Sequence, residues 1–145
     1  MSRGAILAEW EKIVESRSNE LALVRAVDGE SYRFTDLALA VERFLAEHPF
    51  LSEQSGQVWA LSATDPVQWM IHCLAGLQCQ AVLLPVESVQ AGSSDLERLQ
   101  SLGVAYQLTE GAVLPINENA ESSPDFLIKM TSGSTGVPTC IPFTE

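Results

Sequence analysis

An α/β domain, built on a mostly parallel layered sheet with flanking helices, is the fold class this sequence predicts. Three observations predict it. From residue 57 onward, short apolar runs alternate with amphipathic segments, the pattern of strands joined through helices. Cap and stop residues bracket those segments. The 145 residues, 46% of them apolar, suffice for one domain with its own core and are too few for a large multidomain enzyme.

The elements follow in order. Ile6, Leu7, Trp10, Ile13 and Val14 recur at helical spacing over residues 5–15, an amphipathic opening helix. Leu21–Arg25 reads as a short strand and Ser31–Phe34 as a second, with Asp28-Gly29 between them as a hairpin turn. Thr35 is the expected N-cap of a helix carrying Leu37, Val41, Phe44 and Leu45, stopped by Pro49. His48 falls at that helix end, where a cation favours the dipole.

Val58–Leu61 is a buried strand by its unbroken apolarity. Asp65 then caps, and Pro66 opens, a helix with Val67, Met70, Ile71, Leu74 and Leu77 inward. His72 lies off that stripe and is expected to face solvent, and Met70 is expected to be buried. Ala81–Leu84 is the next strand, ending at Pro85. Ser94 and Glu97 form a capping box for a helix with Leu96, Leu99 and Leu102 inward and Gly103 as its stop. Val104–Leu108 is another strand, 109–124 a polar connecting loop, and Phe126–Met130 the last strand. Strands joined through helices pair in parallel with right-handed crossovers. Trp10, Trp59 and Trp69 are expected as core or half-buried anchors.

Eight Lys and Arg against nineteen Asp and Glu give a net charge of −11, with a pI near 4.5. That balance argues against unaided binding to nucleic acid or an anionic bilayer, which both require a cationic surface. The excess is concentrated beyond residue 44, where only Arg98 and Lys129 stand against eleven acids. Either a solvated acidic surface or a docking face for a cationic partner fits this asymmetry. Cys73, Cys79 and Cys140 are odd in number and lack C-x-x-C spacing, so no disulfide framework or zinc site is indicated. No signal-peptide segment or membrane span is legible, and a cytoplasmic location is the expectation. No Ser–His–Asp grouping or carboxylate pair follows from spacing.

One segment carries chemistry. The strand FLIKM leads straight into Thr131, Ser132, Gly133, Ser134, Thr135 and Gly136, followed by Val137 and Pro138. Four hydroxyls and two glycines fall within six residues. Glycine permits positive φ and close backbone approach, successive N–H groups form an anion nest, and the hydroxyls add donors. A phosphate chain is the natural guest. A Gly/Ser linker would be flanked by polar sequence, whereas this stretch abuts an apolar strand and is closed by Val137-Pro138. It is neither a Walker A loop, which needs Lys-Ser/Thr after its last glycine, nor a GxGxxG fingerprint. Lys129 either snorkels from the sheet or stands near the loop as a cation for phosphate.

TSGSTGVP resembles the phosphate-binding motif of the adenylate-forming (AMP-binding) superfamily: acyl- and aryl-CoA synthetases, peptide-synthetase adenylation domains and luciferases. LALVRAVDGESYRFTDLALAVERFLAEH resembles that family's hairpin and following helix. GQVWALSATDPVQWMIHCLAGLQCQAVLLPV resembles its strand–helix–strand, and DLERLQSLGVAYQLTE the helix and strand after it. The resemblance runs from about residue 5 to the end. Two features depart from it: Thr139-Cys140 stand where the family usually continues Lys-Gly, and family members run several hundred residues.

The resemblance implies that residues 1–145 are a partial N-terminal subdomain ending just after the phosphate-binding loop. It implies an ATP-dependent ligase that joins a carboxylic acid to AMP and passes the acyl group to a thiol of CoA or a carrier protein. Thr131, Ser132, Gly133, Ser134, Thr135 and Gly136 would bind ATP. Catalytic residues and the Mg2+ ligands would lie elsewhere, so the 145-residue piece alone is expected to be inactive. The alternative is a non-catalytic truncated or degenerate module acting through protein contacts.

Overall fold

A computed structural model of the chain describes residues 2–87, 93–123, 125–131 and 139–144. Helix α1 (Arg3–Arg17) opens on Ser2, whose Oγ accepts from the Ala5 N–H at 3.2 Å. Its apolar stripe is half-buried: Ile6 and Trp10 pack against the core, with the Trp10 ring 6.1 Å from that of Phe34. Strands β1 (Leu21–Val24) and β2 (Ser31–Arg33) form the expected antiparallel hairpin. Its turn places Gly29 at φ +71°, a conformation that favours glycine.

Helix α2 (Phe34–Glu47) begins earlier than expected, with Arg33 rather than Thr35 as its N-cap. Asp36 decides this: its Oδ2 accepts from the Arg33 N–H at 2.7 Å, while the Thr35 N–H donates to the Ser18 carbonyl at 3.0 Å. His48 closes the helix, its Nδ1 2.9 Å from the Phe44 carbonyl. A short 3-10 helix, Pro49–Ser52, follows.

Strand β3 (Val58–Leu61) is wholly buried. Helix α3 (Pro66–Gln78) starts as its sequence prescribes, Asp65 Oδ2 accepting from the Gln68 N–H at 3.1 Å. Strand β4 (Val82–Pro85) begins one residue later than expected. Helix α4 (Ser93–Ser101) buries Leu99, but Leu96 is exposed, correcting its inward assignment; a helix of nine residues laid over one face of the sheet turns only a narrow stripe to it. Strand β5 (Val104–Leu108) is buried throughout.

The stretch 109–124 is not loop alone. It contains β6 (Val113–Pro115), paired antiparallel to β5 with Leu108 opposite Val113. Three residues, one half-buried and two exposed, show no period, so only the partner strand makes them a strand. Strand β7 (Asp125–Thr131) extends the expected final strand, and β8 (Thr139–Thr144), not anticipated, returns beside it.

The six-stranded sheet has the order β6-β5-β3-β4-β7-β8, with its four central strands parallel and both edges antiparallel. Alternation along each strand builds a core on each face. Trp59, Leu61, Leu83, Tyr106 and Leu108 meet α2 and α3, while Val58, Ala60, Val82, Leu84 and Val104 meet Leu99 of α4. Trp59 is fully buried, as expected of an anchor, and Trp10 and Trp69 are half-buried.

Sandwiched between α2 and the sheet, α3 is buried over a wide arc. His72 is therefore not solvent-facing but 1% exposed, with its ring 5.0 Å from that of Phe44. Met70, by contrast, is only half-buried.

Candidate functional site

The central strands run parallel, so Leu61, Pro85, Leu108 and Thr131 end on the same carboxyl edge. Registers put Leu61 beside Pro85 and Leu108, and Leu83 beside Leu127. β7 thus continues about two residues past the end of β4, roughly 7 Å at strand rise. The connection after β3 crosses on the α3 face and that after β4 on the α4 face. Such a switch between adjacent strands opens a crevice at their carboxyl ends, where α/β sheets receive ligands. β7 neighbours β4 at this point.

Thr131 is the last residue of β7 and sits opposite Thr139, the first of β8. The phosphate-loop sequence therefore connects the carboxyl end of β7 to the amino end of β8 at the edge that holds that crevice. Of the expected binding residues, Thr131 is described in backbone only. Ser132, Gly133, Ser134, Thr135 and Gly136 lie outside the described residues, as do the roles expected of the Lys129 side chain and of the Ser94 cap.

The same edge carries a polar network that spacing did not reveal. Glu110, just past β5, directs Oε1 at the start of α3. It accepts from the Thr64 hydroxyl at 2.6 Å, the Asp65 N–H at 3.0 Å and the Thr64 N–H. These three donors, the hydroxyl first, hold its carboxyl down at about 2. At the N-terminus of α3, where helices favour anions, the protein's own carboxylates take these donors: Glu110 those of Thr64 and Asp65, and Asp65 that of Gln68. Asp65 caps the helix with one oxygen and accepts from Arg25 Nη1 at 3.2 Å with the other. Arg25 also binds Asp28, Glu30 and the Tyr32 hydroxyl, so one guanidinium ties the hairpin to the carboxyl edge. Behind it, Ser62 donates to the Leu108 carbonyl at 3.2 Å and accepts from Gln107 Nε2 at 3.3 Å, joining β3 to β5 below the crevice. The Asp65-Pro66 cap was legible in the sequence; its partners Arg25 and Glu110, 40 and 45 residues away, were not.

Burial pushes His72 down to about 4, leaving a neutral ring at physiological pH, and pushes the neighbouring Cys73 thiol up to about 12. Among the described residues, no group of three or more His, Cys, Asp or Glu is placed to hold a metal, and no helix is long and apolar enough to cross a membrane.

No protein-family model matches the sequence, and no curated protein matches it. Solved structures do. The N-terminal subdomain of NpsA from Klebsiella oxytoca is similar over 94% of this chain and 41% of its own, at 21% identity and a TM-score of 0.73. O-succinylbenzoate coenzyme A synthetase (MenE) from Bacillus subtilis, in complex with AMP, matches over 91% and 40%, at 15% identity and a TM-score of 0.70. An artificially fused adenylation–PCP di-domain, NpsA-ThdA from K. oxytoca, matches over 94% and 32%, at 22% identity and a TM-score of 0.71. The chain spans about 40% of the length of the NpsA subdomain and MenE structures. These neighbours are adenylate-forming enzymes, and the fold of this chain is that of their N-terminal subdomain.

Proposed function

We propose, from the fold shared with the N-terminal subdomain of adenylate-forming ligases, that this chain supplies the phosphate-binding part of such an enzyme. Residues 1–145 form a partial N-terminal subdomain, and Thr131, Ser132, Gly133, Ser134, Thr135 and Gly136 hold the β- and γ-phosphates of ATP. The reaction is that of a carboxylic acid with ATP to give acyl-AMP and pyrophosphate. Transfer of the acyl group to a thiol of CoA or a carrier protein follows. Which acid and which thiol are set outside these residues.

One observation carries the reading. A sequence of four hydroxyls and two glycines leaves the longest of the parallel strands at the carboxyl edge, beside the crevice between β3 and β4. The task is positioning: N–H and O–H donors orient the phosphate chain while the carboxylate attacks the α-phosphorus. Glu110 supports this assignment because it already takes the Thr64 and Asp65 donors that precede α3 on the same edge. The magnesium implied for the reaction has no ligand set among the described residues. We further propose that the 145 residues alone are inactive, so that acid-dependent pyrophosphate exchange by the isolated chain contradicts the reading.

The decisive test is ATP binding followed by calorimetry. Gly133→Val bars positive φ and fills space next to a phosphate, and should weaken ATP by about tenfold or more without altering the fold. Thr139→Lys, which restores the cation usual in the resembling motif, should tighten it. Unchanged ATP binding by Gly133→Val would remove the loop from the site. Thr139 and the acidic surface favour one second reading, a non-catalytic module that acts through protein contacts; a failure of both the chain and Thr139→Lys to bind ATP supports it.

A further inference from the structure

At the opposite, amino end of the sheet lies a cleft of about 410 Å³ lined by Phe50, Glu53, Gln54, Gln57, Tyr106 and Glu118. Gln57 immediately precedes β3. The Ile116 and Asn117 N–H groups both donate to the Ala105 carbonyl, at 2.8 and 3.2 Å, and so bring Glu118 back to the start of β5. The volume suits a small molecule. Its lining includes two carboxylates, two aromatic rings 5.3 Å apart, and no Lys or Arg.

The fold leaves one acceptor here unused. Gln57 is 3% exposed; its Nε2 donates to Gln54 Oε1 at 2.8 Å, and its Oε1 has no hydrogen-bond partner. Buried amide oxygens are normally satisfied, and an orphan carries a desolvation penalty. Both carboxylates also face the Tyr106 phenol in this lining: burial first, then the charges of Glu118 and Glu53, raise it above its ordinary range. Negative charge, aromatic faces and a spare acceptor therefore converge on one concavity.

We propose that this cleft binds a small organic cation of the alkylammonium class. Its N–H donors reach Glu53, Glu118 and Gln57 Oε1, and its apolar stem lies against Phe50 and Tyr106. A hard divalent ion fits less well, since it takes six or more oxygens and gains nothing from aromatic walls. The site is remote from the phosphate loop and does not depend on the ligase reading.

The test is an NMR titration of the ¹⁵N-labelled 145-residue chain with n-butylammonium chloride, at constant ionic strength held by NaCl. Saturable shifts are expected at the Gln54 and Gln57 side-chain amides and the Tyr106 backbone N–H. Glu53→Gln and Glu118→Gln alter exposed side chains, and each should weaken binding about threefold to fivefold, the scale of one exposed ion pair. Tetramethylammonium, which cannot donate a hydrogen bond, should bind more weakly. Any of four results overturns the proposal: no saturation, the same shifts from NaCl alone, displacement of butylammonium by magnesium, or unchanged affinity in both glutamine variants.

Discussion

Lowering the pH from 7 to 4 charges histidines, and His72 has no room for the charge. Its side chain is 1% exposed, its Nδ1 has no hydrogen-bond partner, and the Phe44 ring stands 5.0 Å away. Burial lowers its pKa from 6.5 to about 4; the charge of Glu110 opposes this and that of His48 adds to it. The unfolded chain therefore takes up the proton near pH 6.5, the native protein only near pH 4. Between these values the unfolded state binds more protons, so stability rises with pH. The contribution is complete above pH 6.5 and is lost as pH falls to 4. At about 1.4 kcal/mol per pH unit, the loss approaches 3 kcal/mol, a large part of the 5–15 kcal/mol typical of a domain. Glu110, lowered to about 2 from 4.5, and Asp28, also lowered, lose their contributions at lower pH, Glu110 from about pH 4.5 downward. Urea unfolding of the protein and of His72→Leu at half-unit steps from pH 7 to 4.5 tests this. The variant's absolute stability changes through packing, so the readout is the slope. The expected result is a steep loss in the parent and a flat profile in the variant. Parallel profiles, differing by less than about 0.5 kcal/mol over the range, would refute the reasoning.

Two predictions concern the same helix. Leu74 is 6% exposed within the core, and Leu74→Ala should cost ~2–5 kcal/mol in chemical denaturation; a loss below about half a kilocalorie places it outside the core. A Cβ at Gly76 would stand 2.4 Å from Leu83 Cδ2 and 3.5 Å from Trp59 Cε3. Gly76→Ala should therefore destabilise by ~1–2 kcal/mol despite its better helix propensity, and Leu83→Ala should cost less in that background than in the parent. Equal costs of Leu83→Ala in both backgrounds would show that no clash exists.

Much of the architecture was written locally. The apolar runs Val58–Leu61 and Val104–Leu108 became wholly buried strands, and Asp65-Pro66 opened α3 as an N-cap and first-turn proline do in any context. The composition of the segment from Thr131 to Gly136 was likewise sufficient to suggest a phosphate guest, since donor density is a local property. What the chain could not state by itself depended on partners distant in sequence. β6 is a strand because β5 lies beside it, and β8 because β7 does. His72 is buried because α2 covers the side of α3 that the sheet leaves open, and helical periodicity registers one apolar stripe, not two packed neighbours. Arg25, Asp65 and Glu110 meet only when the hairpin, α3 and the end of β5 come to one edge. The sequence by itself thus determined most of the elements and the expectation of a phosphate guest for one loop. The tertiary structure decided at which edge of the sheet that segment begins and which charges are already paired along the edge, because register and burial are properties of pairs of segments rather than of any one of them.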